Sequence, residues 1–269
     1  MKIFLSKSKL VKITNIEKNL GFVPTMGAIH SGHVSLIRKS ISQCNKTIVS
    51  IFINKPQFNR INDFRSYPRV LKRDISILKK LKVDYLYLPS NKQIYPSGQN
   101  KNIKISPFAK KLCGKSRPGH FEAVVDVIDR FIKIIKPKKI YLGEKDMQQL
   151  KIIEDFVKKN NIKIKVIGCK IIREKNGIAF SSRNSLLSED EKIVASNIFN
   201  FLFYKKKIII NNKLSINYIR KKIIEFGAKE IDYIKMMDIN KIVEPYKKKS
   251  QFRIFIAYYL GKTRLIDNI

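Results

Sequence analysis

The chain has 269 residues, of which 44% are hydrophobic and 29% charged, so it can bury a substantial core. No apolar run reaches the roughly 18–20 residues that cross a bilayer, and the first residues lack the apolar segment of a signal peptide. The three cysteines, Cys44, Cys113 and Cys169, are far apart and lack metal-ligand spacing. These features exclude membrane-spanning and disulfide-rich classes and predict a protein of the reduced cytoplasm.

A net charge of +35 raises the question of nucleic-acid binding. The lysines are spread over the whole chain, together with abundant isoleucine and asparagine, and A/T-rich codons explain all three. A nucleic-acid-binding surface would instead concentrate its charge on one element, often with interleaved aromatic side chains. We therefore predict no specific nucleic-acid partner, and a nucleic-acid-binding protein remains an alternative hypothesis.

Strands and helices are predicted to alternate over residues 1–170. The apolar runs that predict strands are 2–5, 21–23, 47–53, 83–88, 140–142 and 162–167. Helical spacing of apolar residues occurs in 34–41, 71–81, 119–136 and 148–156. The runs 2–5 and 21–23 are expected to be neighbouring strands. The alternation predicts βαβ units, and therefore an α/β fold with a parallel, doubly wound sheet.

A smaller α+β domain is predicted for the rest of the chain. Residues 171–177 are typical of a hairpin, because Asn176-Gly177 favours a tight turn with positive φ. Beyond it, one helix is predicted to begin at 188–191 and a second to cover 214–227. The predicted strands are 231–237, 253–260 and 264–266. The boundary lies near 172–176 and divides the chain into 1–174 and 175–269.

The segment 21–40 predicts a strand, a tight turn and a helix, with two histidines at the junction. His30 and His33 are three residues apart, so both imidazoles lie on one side of the helix start. The free amides there and the positive end of the helix dipole favour phosphate, and Gly27 and Gly32 let the backbone approach a ligand. Such imidazoles could donate hydrogen bonds to a leaving pyrophosphate. A metal site and a purely structural histidine pair are the alternatives.

Polar residues also follow other predicted strands. Asn54 and Gln57 follow one strand and Gly143–Asp146 another, and both groups are expected at the sheet edge where open α/β folds bind ligands. Ser181–Arg183 offers two hydroxyls and a guanidinium, which suit phosphate. Ordinary turn chemistry is the alternative for the amides, and a helix cap followed by a surface arginine is the alternative for Ser181–Arg183.

Seven motifs along the chain belong together. They are Pro24-Thr25-Met26-Gly27-Ala28-Ile29-His30-Ser31-Gly32-His33, 49–58, Tyr67-Pro68-Arg69, Arg117-Pro118-Gly119-His120-Phe121, 143–150, Ser181-Ser182-Arg183-Asn184 and 261–268. In this order they resemble the blocks of the pantothenate synthetase (pantoate–β-alanine ligase) family, and they span almost the whole chain.

The resemblance implies an ATP-dependent ligase with a Rossmann-like catalytic domain in 1–174 and a smaller lid domain in 175–269. Pantoate would attack the α-phosphorus of ATP to give pantoyl adenylate and pyrophosphate, and the amine of β-alanine would then displace AMP. Mg²⁺ is expected to arrive with ATP, without a metal site fixed by the protein, and the family is usually homodimeric. Another nucleotidyltransferase of the same fold is the alternative, and dependence of AMP release on β-alanine discriminates between the two.

The resemblance also implies residue roles. The expected catalytic residues are His30, His33, Lys145 and Arg183, with His33 as proton donor. The expected ATP-binding residues are Met26, Gly27, His30, Gly32, His33, Gly143, Glu144, Lys145, Asp146, Ile172, Phe180, Ser181, Ser182 and Arg183. The residues expected to bind pantoate or β-alanine are Pro24, Thr25, Asn54, Gln57, Arg117 and Gln149, with Met26 and Phe58 as an apolar wall.

Overall fold

The computed structural model describes residues 1–243 and 246–269. Its main sheet consists of β1 (Lys2–Phe4), β2 (Leu20–Thr25), β3 (Lys46–Ile51), β4 (Tyr85–Tyr87), β5 (Lys139–Gly143) and β6 (Lys165–Cys169). All neighbouring strands are parallel, in the order β1-β4-β3-β2-β5-β6. The predicted α/β fold with a parallel sheet is confirmed.

Helices connect these strands and cover the sheet. They are α1 (Lys7–Thr14), α2 (Ser31–Gln43), α3 (Ile61–Ser66), α4 (Leu71–Lys80), α5 (Asn91–Ile94), α6 (Cys113–Ser116), α7 (His120–Ile135) and α8 (Met147–Lys159). In the central strands, Phe22, Val23, Ile48 and Val49 have no exposed surface, as expected for strands covered on both faces. The apolar run in each strand therefore results from helices on both sides of the sheet.

The strand order places a crevice beside β2. After β2 the chain continues to β3 on one side, and the later strand β5 pairs on the other side. The connections that leave β2 and β5 therefore diverge at their carboxyl ends, which is the arrangement that creates a ligand-binding crevice in open α/β sheets. The histidine turn follows β2, and Glu144–Asp146 follows β5.

The described residues of the rest of the chain form a separate antiparallel sheet and three helices. The strands are β7 (Glu230–Asp238), β8 (Phe252–Leu260) and β9 (Thr263–Asn268), and the helices are α9 (Glu189–Tyr204), α10 (Lys206–Ile210) and α11 (Ile216–Glu225). A capping box between Ser188 and Glu191 begins α9. The second apolar cluster includes Ile198, Leu202 and Ile254, so this part has a core of its own.

Several contacts join the two sheets. Ile239 and Phe255 belong to the apolar cluster of the main sheet. Arg253 donates to the carboxylate of Glu144 at 2.7 Å, and the Asn268 side-chain amide donates to the backbone oxygens of Glu144 and Lys145 at 2.8 and 2.9 Å. The segment that follows β5 is therefore held from the second sheet.

Two details differ from the sequence predictions. The prediction that 2–5 and 21–23 are neighbouring strands is wrong, because β1 pairs with β4, and β4 and β3 lie between it and β2. The unpredicted helix α1 connects β1 to β2 and allows this crossing. The hairpin after residue 171 is present as a single antiparallel bridge between Arg173 and Ala179, closed by a hydrogen bond from the Gly177 amide to Glu174. Over the described residues, no helix is both long and apolar enough to cross a membrane.

Candidate active site

A cavity of about 250 Å³ lies at the carboxyl ends of β2, β3 and β5. It is lined by all the predicted site residues except Gly27 and Glu144: Pro24, Thr25, Met26, His30, Gly32, His33, Asn54, Gln57, Arg117, Gly143, Lys145, Asp146, Gln149, Ile172, Phe180, Ser181, Ser182 and Arg183. Residues from widely separated motifs are therefore brought to one place by the fold.

Gly27 and Glu144 lie beside the cavity rather than in its lining. Gly27 has a φ of +84° in the turn after β2, and a Cβ added there would lie 3.0 Å from a carboxylate oxygen of Asp74. The glycine is required by that backbone conformation and by the close approach of the carboxylate. The side chain of Glu144 is paired with Arg253. Gly27 gives the turn its backbone conformation, and the pairing with Arg253 ties the segment after β5 to the second sheet, so the role of both residues toward ATP stays a prediction.

The two imidazoles contact each other in a tilted arrangement at the start of α2. The ring centroids of His30 and His33 are 4.0 Å apart with 34° between the planes, and His30 also stacks on Phe180. The Nδ1 atom of His30 accepts a hydrogen bond from the Gly32 amide at 3.2 Å, so a neutral His30 carries its proton on Nε2. The buried Nδ1 of His33 has no hydrogen-bond partner among residues 1–243 and 246–269.

Burial and a neighbouring cation keep both imidazoles neutral. Burial, followed by the charge of Lys145, lowers the pKa of His30 from 6.5 to about 4. Burial, with His30 and Lys145 as further causes, lowers the pKa of His33 well below its usual value. At neutral pH the pair therefore acts through N–H groups and ring nitrogens, and the positive charge comes from Lys145.

A second group of polar residues faces the cavity from the connection after β6. The hydroxyl of Ser181 accepts a hydrogen bond from the Arg183 amide at 3.2 Å, and Ser182 donates to the Tyr67 hydroxyl at 3.2 Å. Arg183 donates to both carboxylate oxygens of Asp63, at 2.8 and 3.0 Å. Ser181 thus caps a short helix, as the alternative interpretation holds, while all three residues also line the cavity.

Amide groups form the opposite wall. Asn54 is 1% exposed; its amide donates to Gln57 at 3.0 Å and its oxygen accepts from Tyr95 at 2.7 Å. The Gln57 amide lies 3.1 Å from the sulfur of Met26. Asn54 is therefore held by protein partners and orients Gln57, whose amide faces only a weak acceptor and can turn to a ligand.

Sequence reasoning assigned no role to Tyr67, His120, Lys170 and Arg264, which also line the cavity. His120 donates from Nδ1 to the Gln57 carbonyl at 2.8 Å, and its Nε2 accepts from Arg117 at 3.1 Å. Burial lowers the pKa of His120 to about 3, so this bridging role requires the neutral ring. Tyr67, His120 and Arg264 belong to the motifs given above, and this membership could have marked them as residues of the site.

Arg264 adds positive charge from the second sheet. Its guanidinium pairs with Asp232 at 2.6 Å and still lines the cavity. Together with Lys145, Lys170, Arg117 and Arg183, it surrounds the cavity with five cationic side chains. Burial, with Arg183 as the next cause, lowers the pKa of Arg117 to about 10. A cavity of this charge attracts polyanions and carboxylates.

A positively charged crevice at the point where the strand order reverses defines a nucleotide-handling enzyme of the doubly wound α/β class. The family model of pantoate-beta-alanine ligase matches residues 2–269. The chain belongs to this family, and it is therefore a ligase that forms an amide bond.

Relatives and solved structures cover nearly the same length. A pantothenate synthetase from Sulfurihydrogenibium sp. is 41% identical over 94% of this chain and 92% of its own. A crystal structure of pantoate-beta-alanine ligase from Francisella tularensis, complexed with beta-gamma ATP and beta-alanine, has a TM-score of 0.86 and 39% identity, covering 100% of this chain and 97% of its own. Pantothenate synthetase from Thermus thermophilus superimposes with a TM-score of 0.87 at 28% identity, over 100% of this chain and 99% of its own.

Proposed function

We propose that the protein condenses pantoate with β-alanine to pantothenate, using ATP and releasing AMP and pyrophosphate. The observation that carries this proposal is one cavity that combines a neutral histidine pair in ring contact, five cationic side chains and a wall of amide groups. The complex of the Francisella tularensis relative with beta-gamma ATP and beta-alanine supports the same substrates.

The first step is adenylate formation. The pantoate carboxylate oxygen forms a bond to the α-phosphorus, and the bond from that phosphorus to the bridging oxygen breaks, so that pyrophosphate leaves. We assign Lys145, Arg183, Ser181 and Ser182 to the phosphates, because positioning and electrostatic stabilisation supply most of the catalysis in phosphoryl chemistry. We assign the N–H group of His33 as a donor to the departing pyrophosphate.

The second step is amide formation. The neutral amine of β-alanine attacks the acyl carbon of the adenylate, the carbon–oxygen bond to AMP breaks, and the nitrogen loses a proton. Gln57 and Gln149 are assigned to the hydroxyl and carboxylate groups of pantoate, since amides both donate and accept. Pro24, Thr25, Asn54 and Arg117 complete that pocket in the proposal.

The adenosine part is assigned to the segments after β5 and β6. Gly143 and Asp146 lie beside Lys145, and Ile172 lines the same cavity. Met26 and Phe180 would flank the nucleotide from the histidine side, and Gly32 leaves room there. Mg²⁺ is proposed to enter with ATP and to neutralise phosphate charge; the described residues hold no cluster of three or more His, Cys, Asp or Glu that would fix a metal.

We further propose that 1–174 and 175–269 act as a catalytic domain and its lid, in a homodimer of the cytoplasm. The separate apolar core of the second part supports the division, and the polar contacts from Arg253 and Asn268 to the segment after β5 support a lid that acts on the site. The family resemblance supports the dimer, and light scattering of the purified protein tests it.

The reaction is tested by supplying ATP, pantoate and β-alanine and measuring AMP, pyrophosphate and the amide. With ATP and pantoate present and β-alanine absent, labelled pyrophosphate should exchange into ATP, because the adenylate forms before β-alanine enters. Exchange that requires β-alanine would contradict the two-step route. A stable nucleotidyl product, formed without any dependence on β-alanine, would indicate another nucleotidyltransferase instead.

A further inference from the structure

A buried carboxylate holds the turn that carries the histidine pair. Asp74 lies in the first turn of α4, is 1% exposed and does not line the cavity. Its two oxygens accept hydrogen bonds from the backbone amides of Ala28 and Ile29, both at 2.8 Å. Hydrogen bonds to an ionised acceptor are short and strong, as these are.

The backbone of this turn needs such a partner. Gly27 and Ala28 have φ values of +84° and +51°, and the second of these is unfavourable for a residue with a Cβ. Successive amides that point to one side form a concavity for an anion. In this turn the anion is the carboxylate of Asp74, which comes from a helix 46 residues further along the chain.

The turn leads directly into the catalytic pair. His30 follows Ile29 and is the N-cap of α2, and the first turn of that helix contains His33. A displacement of the Ala28–Ile29 backbone would therefore move both imidazoles relative to Lys145. Thr25 fixes the other end of the turn, because its hydroxyl accepts from the Gly27 amide and donates to the Ser50 carbonyl.

We infer that Asp74 is a positioning residue that sets the placement of His30 and His33 for the adenylate step. This inference rests on the proposed function for the role of the two imidazoles. Asp74 itself touches no part of the cavity, so it acts through the backbone of the turn.

The test is Asp74→Asn, which keeps the side-chain volume but replaces one acceptor oxygen by an amide donor. One of the two backbone amides then faces a donor and loses its hydrogen bond. We expect the maximal rate of pantoate-dependent pyrophosphate exchange to fall by about 10–100-fold, since small misplacements at a reacting centre are costly. Pantoate affinity by calorimetry should stay within about threefold, because the amide wall does not contact Asp74.

Histidine NMR gives a readout that is independent of activity. The chain has only 3 histidines, so the imidazole signals can be assigned by substitution. In Asp74→Asn the signals of His30 and His33 should shift, while His120, which is held by Arg117 and Gln57, should not. If the wild-type protein showed no exchange at all, the proposed function would fail, and these signals would still decide the role of Asp74.

Asp126→Asn is the matched control. Asp126 is 2% exposed, accepts a hydrogen bond from the Asn100 amide at 3.0 Å and pairs with Arg130, outside the cavity lining. Its replacement should affect neither the exchange rate nor the signals of His30 and His33. If Asp74→Asn does not fold, Ala28→Gly is added to it, because glycine adopts positive φ without strain. An unchanged exchange rate, unshifted His30 and His33 signals, or an equal rate loss in the control would overturn the inference.

Discussion

If Arg183 binds the triphosphate of ATP as proposed, Asp63 competes with the triphosphate for its guanidinium, and this competition predicts the behaviour of Asp63→Asn. Two bare charges about 4 Å apart at an effective dielectric constant near 20 would attract by about 4 kcal/mol. The side chains of Arg183 and Asp63 are 29% and 35% exposed, so the ion pair lies near the surface. Measured pairs of this kind contribute only about 0.2–1 kcal/mol. The loss of the competitor should therefore tighten ATP binding by no more than about fivefold.

The measurement is calorimetry with a non-hydrolysable ATP analogue, together with single-turnover adenylate formation. The dissociation constant should fall in Asp63→Asn, and the maximal rate should change by less than about twofold, because Arg183 still reaches the phosphates. As a control for the loss of one negative charge, Glu189→Gln removes an exposed ion pair with Lys192 on α9, outside the cavity, and should leave ATP binding unchanged. Weaker ATP binding in Asp63→Asn would refute the reasoning and would show that the carboxylate orients Arg183 for the ligand.

Further predictions concern the imidazoles, the lysine and the amide wall. Single-turnover adenylate formation should fall by about 10²–10³ in Lys145→Ala and in His33→Ala, with an intact circular dichroism spectrum, because each change removes a preorganised donor; near-normal rates would make both residues structural. Gln149→Ala should weaken pantoate binding in calorimetry and spare ATP, and an equal loss for both ligands would contradict its assignment. The lowered pKa values of His30 and His120, about 4 and about 3, mean that the unfolded chain binds more protons below about pH 6.5. The free energy of unfolding should therefore be highest above that pH and decrease as the pH falls towards 4, and His120→Gln should reduce this slope in denaturant titrations.

The parts of the fold that depend on local pattern were predictable from the sequence. The runs in β2 and β3 are continuous because both faces of the sheet are covered, and α9 begins at the Ser188 capping box. The pairing of β1 was not predictable in this way, because α1 crosses two strand positions and neither its length nor its path follows from apolar spacing.

The residues of the candidate site likewise fall into a group that the sequence could predict and a group that depends on tertiary packing. Residues that follow parallel strands, such as His33 and Asn54, could be expected at one edge because the topology brings those ends together. Asp74 and Asp63 could not, because their partners in the structure lie 46 and 120 residues away and depend on how α3 and α4 pack. Glu144 was expected to contact ATP. Its ion pair with Arg253 could not be predicted, because it depends on where the second sheet docks.

The hydrogen bonds from Asn268 have a consequence for the order in which the enzyme is assembled. The segment that presents Lys145 receives its two backbone hydrogen bonds from a residue 123 to 124 positions later, on an outer strand of the small sheet. During synthesis, the parallel sheet and the histidine turn can form well before β9 leaves the ribosome, since domains generally fold as units from the N-terminus. In the proposed mechanism Lys145 acts in adenylate formation, and its segment gains the hydrogen bonds from Asn268 when β9 docks. A growing chain that has already folded its nucleotide-binding sheet is therefore expected to remain unable to activate pantoate until β9 has docked.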